Sequence, residues 1–255
     1  MSNSDEFPEA YSVIESNSWE HFKSKVLQDL FEDKPFERGP FLFRGQGSSK
    51  WPLISSFDRW FGERPRSEKA VVSAHLIKLF ESESEGLSVE RDVWKDEHRR
   101  LALAQHHGIP TRLLDWSQSP YIAAFFAFAG VSLDKPSPND LVAVWVLDAQ
   151  VLDVWNADAG VEVFNVPSYG NERLRNQLGW FTLLKAPFDS LQEYVSHFPE
   201  NLSKSALRQI RIPAAEVQRA LSDLELMGIT FSRIYPGIDG AARTAVLRAK
   251  RGMKC

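Results

Sequence analysis

Ala104-Gln-His-His-Gly-Ile-Pro-Thr-Arg-Leu-Leu-Asp-Trp-Ser-Gln-Ser-Pro-Tyr-Ile-Ala-Ala-Phe-Phe-Ala127 holds the end of one helix, a strand and the start of a second helix. Gly108 suits the position just past a helix C-terminus, and Pro110 prevents continuation. Thr111-Arg-Leu-Leu-Asp115 reads as a short strand. Ser119-Pro120 has the form of an N-cap followed by proline in the first turn. Residues 121–130 are nearly all apolar, which predicts a buried helix. Polar residues crowded between such apolar walls must bond or react, so function is sought here first.

Working outward, Leu141-Val-Ala-Val-Trp-Val-Leu147 is the strongest strand pattern and reads as central. Phe41-Leu-Phe-Arg44 is a short strand ended by Gly45, with residues 46–49 as a turn. Gly179-Trp-Phe-Thr-Leu-Leu184 is another strand. Residues 207–212 alternate apolar and polar, as in a strand with one exposed face. Helices are expected over 18–31 with Ser18 as cap, and over 67–85 with Ala70, Ala74, Ile77 and Leu79 toward the core. One continuous helix is expected over 88–107, with others over 190–197, 213–226 and 241–250. Residues 35–40, 132–140 and 150–170 read as loops or irregular. The fold class is α+β: one domain with a central mixed or antiparallel sheet and an added N-terminal helical portion. Its parts are a lead over 1–17, the domain over 18–240 and a basic tail over 241–255.

The chain has 255 residues, 43% hydrophobic and 12% aromatic, with 8 Trp and 17 Phe, so it can bury a core. The net charge of −4 does not announce a nucleic-acid binder, although a local basic groove is compatible with it. Cys255 is the one cysteine, which excludes a disulfide framework and a cysteine zinc site. No metal is expected. Neither a signal-peptide pattern nor an apolar run of about 18 residues is seen, so no membrane contact is expected and the cytoplasm is the expected compartment.

Arg44 stands at a strand end before Gly45 and Gln46. Its planar fork suits a phosphate or ribose, and the glycines let a ligand approach the backbone. The competing role is a structural arginine tying the turn to a carboxylate. His106 and His107 occupy a last helical turn. They point about 100° apart, which makes them a poor joint metal site and reasonable helix caps. No His-Glu-x-x-His spacing exists. Asp115, Trp116 and Ser117 lie at a strand-to-helix junction, where side chains reach a pocket; Ser119 is most simply the cap. A serine hydrolase is disfavoured because no Gly-x-Ser-x-Gly elbow occurs. Gln177 enters a strand where it has no packing reason to be, unless it satisfies a sheet edge. Glu172 and the basic run 243–254 have plain surface readings.

Phe43-Arg44-Gly45-Gln46, residues 105–120 with the Ala/Phe helix behind them, and Asn171, Arg173, Gln177, Gly179 and Phe181 together resemble the FRG domain family. The motif order also resembles that of ADP-ribosyltransferases. In that fold an Arg at the end of a first strand holds NAD. A later strand leads through serines into an Ala-x-x-Phe-Ala helix, and a third strand carries a Glu. Arg44 takes the first place, and Ser117 and Ser119 with Ala123, Phe126 and Ala127 take the second. Gln177 stands in the third place instead of Glu.

The resemblance implies an ADP-ribosyltransferase-like sheet. It further implies an enzyme that uses NAD as substrate to modify protein, RNA or DNA, as a bacterial toxin or phage-defence effector does, with an antitoxin as possible partner. Candidate catalytic residues are then Arg44, Ser117, Gln177, Asp115 and His107. Candidate NAD contacts are Arg44, Gly45, Gln46, Arg112, Trp116, Ser117, Ser119 and Tyr121. Asp115, Glu172 or His107 would supply the charge that Gln177 lacks. The alternative is a non-catalytic module that binds nucleic acid or a protein in the same groove, supported by Gln177, the aromatic excess and the basic segments.

Overall fold

The computed structural model describes residues 10–32, 41–87, 91–131, 140–167 and 178–252. Seven strands form one sheet in the order β1-β7-β4-β2-β3-β6-β5. They are β1 (Ser12–Glu15), β2 (Phe41–Gln46), β3 (Leu113–Ser117), β4 (Leu141–Asp148), β5 (Val161–Phe164), β6 (Gly179–Leu184) and β7 (Leu207–Pro213). β1 lies parallel to β7 and all other neighbours are antiparallel, so the sheet is mixed. A mixed sheet with helices on its faces bears out the α+β class.

β4 has seven buried residues in succession and sits between β7 and β2, as its uninterrupted apolar run predicts. Its alternate residues serve opposite faces. Val142, Val144 and Val146 join Phe41, Phe43, Ile210 and Ile212 in one core. Ala143, Trp145 and Leu147 join Leu42, Leu53 and Tyr194 in the other.

The first core is covered by α7 (Pro120–Ala129), α10 (Val217–Leu226) and the N-terminal helical run. That run is α1 (Trp19–His21), a π-helical turn (Phe22–Val26) and α2 (Leu27–Glu32), capped by Ser18 as expected. Over β3, β5 and β6 a third cluster forms, where Leu113, Phe181 and Leu183 meet Ile77 of α4 (Lys69–Glu83) and Leu101 and Ala104 of α6 (Glu97–His106). The other α-helices among the described residues are α3 (Ser56–Phe61), α5 (Arg91–Lys95), α8 (Leu191–Val195), α9 (Glu200–Ala206), α11 (Phe231–Ile234) and α12 (Ile238–Gly252).

Several expectations are corrected. Residues 12–15, read as part of a lead, pair with β7. β5 lies in the stretch read as irregular. The expected helix over 88–107 is two helices, because Asp96 leaves the helical conformation and its side chain accepts from Arg99 N–H to cap α6. On α4 only Ile77 of the four expected core residues is buried. Ala70, Ala74 and Leu79 face solvent, and the buried positions include Lys69. β7 has no open face: Gln209 is fully buried under the loop after β2, where its Nε2 donates to Ser49 O at 2.9 Å. The helix expected over 241–250 is present within α12, and Arg248 and Arg251 both pair with Glu225 of α10. The loops expected over 35–40 and 132–139 lie outside the described residues.

Candidate functional site: the seam between β2 and β3

β2 and β3 are joined at one register position, Phe43 with Ser117. In contrast, β2 and β4 match over six positions, and β3 and β6 over five. Past Phe43 the first pair of strands diverges, and backbone groups there need other partners. Arg44 supplies one: its Nη1 donates to Asp115 O at 2.7 Å and lies 3.9 Å from the Asp115 carboxylate. Its Nε is buried with no partner among the described residues. Burial pushes the Arg44 guanidinium's pKa down, and the Asp115 charge opposes this, while Arg59 nearby adds to the lowering. An arginine stays charged through such shifts. A half-buried cation with one firm hydrogen bond and a second cation beside it favours an anion.

A cavity of about 670 Å³ opens at this seam. Arg44, Arg59, Asp115, Trp51, Phe126 and Tyr235 are among its walls. A smaller cavity of about 210 Å³ shares Arg44, Arg59 and Asp115 and adds Gln105. The larger volume lies within the roughly 300–1,000 Å³ of small-molecule sites.

Local chemistry fixes each wall. Phe57 N–H donates to Thr111 O at 3.1 Å, and Ser56 Oγ accepts from Thr111 N–H at 3.2 Å. These bonds hold α3, and with it Arg59, against the start of β3. Gln105 Nε2 donates to Asp115 Oδ1 at 2.6 Å, and Thr111 Oγ1 donates to Gln105 Oε1 at 2.5 Å. The Asp115 carboxylate is therefore aimed from α6 although 56% exposed. Gln46 accepts from Trp145 Nε1 at 2.6 Å and donates to Pro52 O at 3.1 Å, so it steadies the loop that carries Trp51. Phe126 and Tyr235 meet edge to face at 6.1 Å.

The predicted site residues divide. Arg44, Gly45, Gln46, Asp115, Trp116 and Ser117 line the larger cavity. The role expected for the glycines is corrected. A Cβ on Gly45 would sit 1.8 Å from Ala123 O, and one on Gly47 2.8 Å from Gly130 O. The missing side chains admit the backbone of α7 and of Gly130 just past it, while both glycines also line the cavity. Trp116 is buried and its Nε1 donates to Thr182 Oγ1 at 3.0 Å. Ser117 Oγ accepts from Ser119 N–H at 3.0 Å, and Ser119 Oγ caps α7 by accepting from Ile122 N–H.

Arg112, Tyr121 and His107 line neither cavity. Arg112 donates to Ala186 O and Phe188 O at 3.0 Å each. Tyr121 packs edge-on against Trp19. His107 is the exposed C-cap of α6 beside Phe80. Gln177 and Glu172 lie outside the described residues.

Sequence reading missed Arg59, Trp51 and Tyr235, named Phe126 only within the Ala-x-x-Phe-Ala motif, and gave Gln105 no role. Gln105 alone carried a signal, as a polar residue in the helical turn that precedes the strand of Asp115. Among the described residues no group of three or more His, Cys, Asp or Glu could hold a metal ion. No described helix is long and apolar enough to cross a membrane.

Residues 39–135 match the FRG domain. The chain carries an FRG domain. The match takes in β2, α3 to α6, β3 and α7, and with them Arg44, Arg59, Gln105, Asp115 and Phe126. Tyr235 lies beyond it. No curated protein and no solved structure matches the chain.

Proposed function

We propose that the FRG domain binds NAD in the seam cavity and transfers ADP-ribose to a macromolecular acceptor. The observation that carries this reading is Arg44, held by one firm hydrogen bond at the wall of a nucleotide-sized cavity with Arg59 beside it. Two guanidinium groups suit a pyrophosphate. Phe126, Tyr235 and Trp51 offer ring faces and edges to the flat ends of a dinucleotide. Ala123 and Phe126 of the Ala-x-x-Phe-Ala helix face the same space, in keeping with the ADP-ribosyltransferase resemblance.

In this reading the C1′–N bond to nicotinamide breaks, and nicotinamide leaves with the bonding pair. The ribose carbon becomes cationic and is captured by an acceptor oxygen or nitrogen. Asp115 supplies the carboxylate that Gln177 lacks: it stabilises the cation and takes the proton released by the acceptor. Gln105 holds one carboxylate oxygen and leaves the other toward the seam. The cytoplasm, where NAD and macromolecular acceptors meet, is the compartment proposed.

Differential scanning fluorimetry with NAD and a nicotinamide-release assay test the reading. NAD at ~100 times its dissociation constant should add about 2.7 kcal/mol of stability. Arg44→Ala should abolish that shift, and Asp115→Asn should keep the shift while release falls ~100-fold. Absence of a shift in the wild type at millimolar NAD refutes the proposal.

A further inference from the structure

Among the described residues, Tyr235 is the one residue lining the larger cavity that lies outside the FRG match at 39–135. Several local features put it there. Gly237 turns the chain with a φ of +104°, and α12 comes close because Gly240 has no side chain: a Cβ on it would sit 1.8 Å from Tyr235 O. Thr244 Oγ1 accepts from Ser232 N–H at 2.9 Å and ties α12 to α11. Tyr235 N–H donates to Phe231 O at 2.7 Å. The ring so placed meets Phe126 edge to face at 6.1 Å, and the exposed Arg243 of α12 lies over it, 5.0 Å from its centre. The Tyr235 phenol is also within electrostatic reach of Arg44. Core packing does not ask for this ring, since Tyr235 is only partly buried and Phe231 already packs on Phe125 at 4.8 Å.

Arg44, Arg59 and Asp115 border both cavities, whereas Phe126 and Tyr235 border the larger one alone. Charge divides the two flat ends of NAD between these places. The nicotinamide ring is a cation until its bond to ribose breaks, so Arg243 and Arg44 repel it from the Tyr235 ring. Adenine is neutral and packs on aromatic rings without that cost. We infer that Phe126 and Tyr235 bind the adenine end of the dinucleotide, and that Arg243 is a positioning residue that holds the plane of the Tyr235 ring by its cation–π contact. The inference rests on the NAD reading and orders the substrate along the cavity: nicotinamide ribose at Asp115, pyrophosphate at Arg44 and Arg59, adenine at Tyr235. It makes α11 and α12 part of the site although the FRG match ends before them.

Thermal-shift titrations of the full chain with ADP and with nicotinamide mononucleotide separate the two ends. ADP should stabilise the wild type. Tyr235→Ala, or Tyr235→Leu should the smaller residue not fold, should weaken ADP and NAD about tenfold and leave nicotinamide mononucleotide unchanged. In nicotinamide release the same variant should raise KM for NAD about tenfold at unchanged kcat. Arg243→Ala alters an exposed position, so its fold should persist by circular dichroism. It should weaken ADP about threefold, Arg243→Lys should restore the affinity, and Arg243→Ala should add nothing in a chain that already lacks the Tyr235 ring. ADP affinity unchanged in either variant overturns the role given to that residue. Equal weakening of ADP and nicotinamide mononucleotide by loss of the Tyr235 ring overturns the order of the substrate. A wild type stabilised by NAD and not by ADP overturns this inference alone, whereas no shift with either refutes the NAD reading together with it.

Discussion

Arg44 and Arg112 both leave a buried Nε without a hydrogen-bond partner among the described residues, and their surroundings differ in how many other bonds hold the guanidinium. Arg112 belongs to a knot of charges below α3 and α4. Asp58 accepts from Lys69 Nζ at 2.8 Å and from Ser55 Oγ at 2.6 Å, and lies 3.5 Å from Arg112. Lys69, 2% exposed, also reaches Asp189, which pairs with Arg66 at 2.5 Å. The Arg112 Nη atoms donate to three backbone carbonyls, of Lys185, Ala186 and Phe188, while its Nε faces Asp58 without a hydrogen bond. Arg44, at the seam, has one firm bond to a carbonyl and an idle Nε. A cation held by several bonds inside a charge knot fixes the chain, whereas one with a single firm bond at a cavity wall is available to a ligand. Burial alone does not separate the two cases.

The largest expected effect breaks the knot. Lys69→Ala removes the nearest cation from the buried Asp58, leaving Arg112 at 3.5 Å, and should cost about 3 kcal/mol. That lowers the melting temperature by roughly 6–12 °C in a chain of this size. The stabilisation added by NAD should remain, and scanning calorimetry with and without NAD checks both. Arg44→Ala should invert the pattern: ligand response vanishes, while urea denaturation shows a loss of only about 1 kcal/mol for the bond to Asp115 O. Gln105→Ala sharpens the seam side. Asp115 then loses its positioning partner, and nicotinamide release should fall roughly tenfold at unchanged NAD affinity.

The smallest effect is on acid stability. Burial pushes the Asp189 carboxyl up, but Lys69 and Arg66 outweigh this and hold it below the usual carboxylate range. Glu162 likewise is raised by burial and brought lower overall by Lys185 and His98. Folded values below unfolded ones give stability that is present above about pH 4 and lost as pH falls through the folded values. Melting temperature should therefore hold from pH 7 to 5 and drop below pH 4, with a shallower drop in Asp189→Asn.

The sequence disclosed those parts whose cause is local. β4 and β6 follow from apolar runs, the start of α7 from Ser119-Pro120, and the end of α6 from Gly108, whose φ is +86°. β1 is four residues long, and its reason for being a strand is the distant edge of β7. On α4 the apolar pattern misleads, because Val71 and Leu79 are exposed while Lys69 is drawn inward by Asp58. The same division holds at the seam. Arg44 and Asp115 stand at strand ends that sequence can mark. Arg59, Trp51 and Tyr235 reach the cavity through bonds made across the fold, such as Ser56 with Thr111 and Gln46 with Pro52.

Phe43, Arg44 and Gly45 are consecutive, yet each meets a different neighbour: the core beneath α7, the seam, and the α7 backbone itself. Strand side chains alternate, so these three residues act as a reading frame two letters deep. One residue inserted upstream in β2 would swing the guanidinium under α7 and set a Cβ where Ala123 O now lies. Two inserted residues would restore the alternation but bring Phe43 to the place of Gly45, with the same collision of its Cβ and Ala123 O. Insertions of either parity through residues 41–44 should accordingly be destabilising, a constraint that belongs to the packing of α7 on the sheet and not to the chemistry of the motif.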